Sequence, residues 1–196
     1  MKQDRSRRTH ALVLDAAAAE FAAHGFARTN LQIVAKHTGL TKGAVYGHFS
    51  SKEALADELV RLFEESWGEL LRGAEQRSGQ GPGEGLRALV LGLTRHVQED
   101  VRFTAGLRLA AEDARALGEA PAFVGGLGAT ISRLVRDAQE HGVVDPALDA
   151  EPLSRLLLAL VLGMHQITST GGSDPTHQQV LATWDLMLLL IRPAAA

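Results

Sequence analysis

From Leu12 the chain places apolar residues three and four positions apart. Leu12, Val13, Ala16, Ala17 and Phe21 share one helical face, and Gly25 just beyond them suits the left-handed conformation that stops a helix. Thr29 and Gln32 have capping-box spacing, which predicts a short helix over about Asn30 to His37. Gly39 permits a tight reversal, Leu40 fills the angle behind it, and Thr41 is suited to cap a second short helix running to about His48. Ser50 and Glu53 repeat the capping-box spacing and start a fourth helix. Two short helices joined by a glycine turn form a helix-turn-helix.

The pattern beyond residue 50 is also helical. Leu55, Leu59, Leu62, Phe63, Trp67 and Leu70 line one face of the fourth helix, with Glu64, Glu65 and Glu69 outside it. The Gly-rich, polar run from Gly73 to Gly85 reads as a mobile loop. A fifth helix follows over about Leu86 to Gln98. Asp100 opens a sixth, with Leu107, Ala111 and Ala114 inward and Arg108 and Glu112 spaced for an i,i+4 pair. Phe123, Leu127, Ile131, Leu134, Val135 and Ala138 align on a seventh helix that Gly142 ends. Pro152 and the Asp174-Pro175 pair mark the starts of an eighth and a ninth. These last two helices are apolar almost all round, so their second faces are expected to meet a partner subunit through Leu157, Leu160, Val161, Trp184 and Leu188.

The pattern therefore predicts an all-α chain: a helix-turn-helix domain over residues 1–50 and a helical body over 51–196, with the helix from about 51 to 72 connecting them. In the second short helix Val45 and Phe49 must pack on Leu31, Val34 and Leu40. This leaves Lys42, Gly43, Tyr46 and His48 on an exposed face. Residues near the start of such a helix reach base edges in the major groove. Lys42 and Tyr46 are the natural reaching side chains beside Thr41, and Gly43 lets the backbone come close to the duplex. Thr29, His48 and Lys52 read as phosphate contacts. Taken singly, each also fits an ordinary solvated surface.

Charge sharpens the picture. Residues 1–50 hold seven Lys or Arg against three Asp or Glu, and the remainder holds thirteen against twenty, so a head of net +4 sits on a body of −7 within a chain of −3. A basic end on an acidic body suits a protein that offers one surface to a polyanion. An N-terminal arm with Lys2, Arg5, Arg7 and Arg8 is expected to add phosphate contacts and to be disordered without DNA. The absence of cysteine excludes disulfides and thiolate metal sites. The longest apolar run, Leu156 to Met164, is far short of the roughly 20 residues of a membrane span, and no secretory signal is seen at the start, so a cytoplasmic location is expected.

The run FAAHGFARTNLQIVAKHTGLTKGAVYGHFSSKEAL, within about Arg8 to Val60, resembles the DNA-binding domain of the TetR family of bacterial regulators. The resemblance implies an all-helical homodimer on a palindromic operator, usually a repressor, released when a small molecule enters a pocket in the larger C-terminal domain. The stretches VRFTAGLRLAAED, APAFVGGL and ATWDLMLLLIRP further resemble the γ-butyrolactone receptors of actinomycetes, a subgroup controlling antibiotic production. There the segment corresponding to 122–126 usually reads Pro-Tyr-x-x-Trp, with the Trp lining the lactone pocket. Here Phe123 stands for the Tyr and Gly126 for the Trp, leaving room for a different or larger ligand. Candidate pocket residues are Phe63, Trp67, Val90, Leu93, Phe103, Leu107, Phe123, Leu127, Met164, Ile167 and Thr168, each of which also fits plain core.

Two other classes stay in view. For an enzyme there is no phosphate-cradling glycine loop, no HExxH and no Ser, His and acid set that stands out, and the scattered His10, His24, His37 and His48 show no paired ligand spacing. No cofactor or metal is expected. An effector-insensitive DNA-binding dimer is the other reading, and the large helical body weighs against it.

Overall fold

The computed structural model describes the backbone of residues 2–81, 83–168 and 177–193, with side chains for these except 2–3, 158, 161–168, 177–181, 184 and 188. The expectations on Val161, Met164, Ile167, Thr168, Trp184 and Leu188 concern side chains outside the described residues, as does the whole of the Asp174-Pro175 start. Among the described residues there are nine helices and no strand. They are α1 (Lys2–Arg28), α2 (Leu31–Thr38), α3 (Lys42–His48), α4 (Lys52–Ser78), α5 (Glu84–Glu99), α6 (Val101–Leu117), α7 (Ala122–Glu140), α8 (Ala150–Thr168) and α9 (His177–Ile191). The chain divides into two compact units: residues 1–66 with 99–121, and residues 67–98 with 122–196.

The first unit is built on α1. Val13, Leu14, Ala17, Ala18 and Phe21 of α1 close on Leu31, Val34 and Ala35 of α2, Val45 of α3, Phe49, Leu55, Ala56 and Leu59 of α4, and Ala105 and Leu109 of α6 in one buried cluster. Burying apolar area at roughly 25 cal/mol per Å² makes such a cluster the main source of stability for so small a unit. Gly106 brings α6 and α4 very close, since a Cβ there would overlap the Leu59 carbonyl and the Phe63 Cβ. Phe63 and Phe103 meet edge to face at 5.1 Å. At its start α6 is held to α1 by Arg102, whose Nε donates to Asp15 at 2.6 Å.

Local signals in this unit need several corrections. The chain is helical from Lys2, so the expected disordered arm is the first turns of α1. The N-cap of α2 is Asn30, whose Oδ1 accepts from the Gln32 N–H at 2.8 Å, and not Thr29. Thr29 is unavailable for that role because its hydroxyl donates to the Gly25 carbonyl at 2.7 Å. Likewise Ser51, not Ser50, accepts from the Ala54 N–H at 3.1 Å at the start of α4. The buried face of α6 is Phe103, Ala105, Gly106 and Leu109, whereas Leu107, Ala111 and Ala114 are only half-buried. Gly25 (φ 72°, ψ 179°) breaks α1 as a kink, with the chain helical again to Arg28, and is not the left-handed stop that was expected. The turn at Gly39 (φ 67°), the Thr41 cap of α3 and the Asp100 cap of α6 are as the pattern predicts.

In the second unit α4 runs on to Ser78 where a loop was expected, because tertiary partners hold its last turns. Ala74 is buried, Glu75 pairs with Arg133 and the Ser78 hydroxyl donates to Asp137 on α7. Gly85 lets α5 approach the Ala74 carbonyl and Leu134. The inner face of α7 is Leu127, Thr130, Ile131, Leu134, Val135 and Ala138, and Gly142 follows with φ 70°.

Candidate nucleic-acid interface

The exposed side of α3 is set by the packing of its other side. Val45 is fully buried and Phe49, one turn on, is nearly so, which fixes the rotation of the helix about its axis. Lys42, Gly43, Tyr46 and Gly47 then point outward. The Thr41 hydroxyl accepts from the Ala44 N–H at 3.2 Å, satisfying one of the free donors at the helix start. At the other end the Phe49 N–H returns to the Val45 carbonyl at 3.0 Å. Tyr46 is 42% exposed, and the Lys42 ammonium lies 5.8 Å from its ring centre. Lysine beside an exposed tyrosine on a short, well-capped helix offers one cation and one hydroxyl in a fixed register.

An open, polar groove runs beside this face, lined by Lys42 and Tyr46 of α3, by Arg28 at the end of α1 with Thr29 and Asn30 just before α2, and by Ser51, Lys52 and Glu53 at the start of α4. The groove therefore gathers Thr29, Lys42, Tyr46 and Lys52 from the residues singled out in the sequence. His48 stands apart from it: its ring meets His10 of α1 edge to face at 6.2 Å, and His10 in turn lies 4.3 Å from the Phe49 ring. Glu53 is the one acid among the lining residues. Its own backbone N–H, then the Ser51 hydroxyl, hold its carboxyl below the usual range.

Two of the expected phosphate contacts have internal work. Thr29 is buried, and its N–H as well as its hydroxyl turn back to Gly25. Lys52 donates to the Phe26 carbonyl at 2.8 Å and the Thr29 carbonyl at 3.3 Å, with its ammonium 4.3 Å from the Phe26 ring centre. These two residues brace the corner between α1 and α2. Sequence reasoning missed this brace, and it missed Arg28 and Asn30 as groove residues.

The residues singled out as a ligand pocket fall in both units. Phe63 and Phe103 are buried and Leu107 half-buried in the first. In the second, Trp67, Val90, Leu93 and Leu127 are buried, and Trp67 meets Phe123 edge to face at 5.5 Å. Among the described residues no group of His, Cys, Asp and Glu could hold a metal ion. No helix among them is long and apolar enough to cross a membrane.

Residues 13–59 match the family model of bacterial regulatory proteins, tetR family. The A-factor receptor protein of Streptomyces griseus is 28% identical over 190 residues, which are 93% of this chain and 63% of that protein. The transcriptional regulator TtgR of Pseudomonas putida is 31% identical over 100 residues, 51% of this chain and 48% of TtgR. The chain thus spans less than two thirds of the length of either relative. Among solved structures, the TetR family protein CprB of Streptomyces coelicolor aligns with a TM-score of 0.77 at 26% identity, over 97% of this chain and 91% of CprB. CprB in complex with its biological operator sequence aligns with a TM-score of 0.76 at 26% identity, over 97% of this chain and 92% of that one.

Proposed function

By its N-terminal domain this chain belongs to the tetR family of bacterial regulatory proteins, and from that premise we propose that it is a cytoplasmic homodimeric repressor that leaves a pseudo-palindromic operator when a small molecule binds. The observation that carries the reading is the outward face of α3, with Lys42 and Tyr46 held over a polar groove on a capped helix. The likeness to CprB, which has been solved on its operator, supports it. In this reading Lys42, Gly43 and Tyr46 face base edges, Thr41 fixes the helix start, and the groove takes the phosphate backbone. Thr29 and Lys52 contribute mainly by holding the groove's shape. The chain is a regulator and not an enzyme, as its relatives are.

Of the residues expected at the interface, Leu157 is instead buried within the single chain and Leu160 half-buried. Dimerisation through α8 and α9 is supported by Leu156, Leu186, Leu189 and Leu190, which are 63%, 58%, 65% and 75% exposed. Leucines this exposed on two neighbouring apolar helices call for cover. A twofold dimer gives two reading heads and an operator with half-sites about 34 Å apart, or a multiple of that.

The effector belongs to the class of γ-butyrolactones, butenolides or related signals, a reading supported by the likeness to the A-factor receptor protein. Its pocket draws on Trp67, Val90, Leu93, Phe123 and Leu127 of the second unit, while Gly126, where the resemblance puts a Trp, is exposed with nothing within 4 Å of its Cβ position. Release follows from the path of α4, whose residues 52–66 belong to the first unit and 67–78 to the second. A hundredfold loss of operator affinity needs a coupling of about 2.7 kcal/mol, within the usual range. The test is selection from a randomised duplex pool followed by binding of the selected duplex with and without a panel of γ-butyrolactones and butenolides. Enrichment of a two-fold symmetric site supports the regulator, release by one compound supports the effector class, and no enrichment overturns both.

A further inference from the structure

At the end of α1 a hydrogen bond is broken, and its two halves are each taken up by α6. Gly25 has φ 72° and ψ 179°, a region that essentially only glycine occupies. In an unbroken helix the Phe26 N–H would bond the Ala22 carbonyl. Here the Phe26 N–H donates to Glu112 Oε2 at 2.8 Å. The Ala22 carbonyl accepts from Arg108 Nη1, also at 2.8 Å. The two side chains are joined to each other one turn apart on α6, Arg108 Nε donating to Glu112 Oε1 at 2.9 Å. Close approach and break are one arrangement, because a Cβ on residue 25 would run into the Glu112 carboxylate. The residues after the break lead straight to the reading face. Thr29 turns back to Gly25, Lys52 clasps the Phe26 and Thr29 carbonyls, and Asn30 begins α2.

We propose that the Arg108–Glu112 pair is a latch that regulates how the helix-turn-helix is presented to DNA, with both side chains acting as positioning residues. The inference rests on the reading of the head as a DNA-binding surface. The latch has two arrangements because backbone groups inside a protein do not stay unpaired cheaply. Either the pair fills the broken bond and Gly25 keeps its kink, or the pair withdraws and the Phe26 N–H and the Ala22 carbonyl, both at a part-buried place, turn to water and free the Gly25 corner. Such a choice is discrete, which is what a switch needs. The signal reaches the latch along the chain itself: α6 follows directly on α5 and leads into α7, whose residues belong to the second unit.

The test uses the full-length protein and two duplexes, one selected by the wild type from a randomised pool and one unrelated of equal length. Glu112→Ala and Arg108→Ala are expected to weaken binding to the selected duplex tenfold or more. Glu112→Gln, which keeps an acceptor for the Phe26 N–H but loses the ion pair, and Arg108→Lys are expected to weaken it less. Affinity for the unrelated duplex should stay within twofold. The salt dependence should keep its slope, because no phosphate contact is removed, whereas a mere loss of DNA-contacting charge would lower it. In hydrogen exchange the Phe26 amide should lose protection in Glu112→Ala while amides in the middle of α4 keep theirs. Folded alanine variants that bind the selected duplex within twofold of wild type, or a Phe26 amide equally protected without Glu112, would overturn the latch. If the alanine variants do not fold, Glu112→Gln and Arg108→Lys decide by a twofold or greater weakening or its absence. A wild type that selects no duplex sinks the DNA-binding reading itself, while the Phe26 measurement still reports on the latch.

Discussion

Replacing Lys52 with Met separates two roles that its position in the groove would otherwise confuse. The Met side chain keeps the apolar stem and removes the ammonium. The bond to the Phe26 carbonyl, at 2.8 Å, comes from a charged donor at a half-buried place and contributes about 1.5–3 kcal/mol. The ammonium over the Phe26 ring, 4.3 Å from its centre, adds about 0.5–1 kcal/mol where solvent still reaches it. The longer bond to the Thr29 carbonyl, at 3.3 Å, adds little more. Lys52→Met should therefore lower stability by about 2–4 kcal/mol, read from urea unfolding followed by circular dichroism at one fixed protein concentration. Operator affinity should fall as the corner loosens, with little change in its salt slope. A loss below about 0.5 kcal/mol together with a slope shallower by about one charge would refute the reasoning, because it would make Lys52 a phosphate contact and not a brace.

Gly106→Ala should destabilise the first unit, since the new methyl overlaps the Leu59 carbonyl and Phe63 Cβ; overpacking of about 1–3 kcal/mol outweighs the roughly 0.5–1 kcal/mol that alanine gains over glycine in a helix, and a raised melting temperature would contradict this. Thr41→Ala removes the bond to the Ala44 N–H and should cost about 1 kcal/mol of stability while weakening operator binding, with Thr41→Ser restoring most of both. Tyr46→Phe should leave unfolding unchanged, because the ring is half-exposed and only its hydroxyl is lost, yet weaken binding to the selected duplex several-fold; equal binding would remove the hydroxyl from the contact set. Glu58 is held below the usual carboxylate range by its hydrogen bonds from Arg61, so its stabilisation is complete above that range and is lost as the pH falls through the lowered value. Being on the surface it contributes under about 1 kcal/mol, and Glu58→Gln should flatten acid unfolding by no more than that.

The helix-turn-helix was legible because its signals are local. Gly39 and Thr41 each do one thing in one place, and the rotation of α3 follows from Val45 and Phe49 alone. The caps of α2 and α4 were displaced by one residue, since Thr29 and Asn30, like Ser50 and Ser51, are neighbours that can both cap a helix. What decides between the first two is that the Thr29 hydroxyl is drawn to Gly25 by the folded corner. The last turns of α4 read as loop because Gly73 to Ser78 is small and polar; Glu75 and Ser78 keep it helical through Arg133 and Asp137, nearly sixty residues away. The inner face of α6 was misread for a related reason. Two apolar stripes overlap there, and only the closeness of α4 at Gly106 selects the one through Phe103 and Leu109. In the candidate site, Lys42 and Tyr46 stand where the pattern puts them, while the inward roles of Thr29 and Lys52 depend on the Gly25 break and could not be read from spacing.

The central claim is that the face of α3 reads one DNA sequence as a dimer. The most direct test is fluorescence anisotropy of the full-length protein with a labelled duplex selected from a randomised pool, titrated at fixed salt against an unrelated duplex and repeated with Lys42→Ala and Tyr46→Ala. The account predicts two subunits per two-fold symmetric site, binding at least a hundredfold tighter than to the unrelated duplex, and loss of most of that preference in both variants while each remains folded. Equal affinity for the two duplexes, or a preference that survives both substitutions, would contradict it.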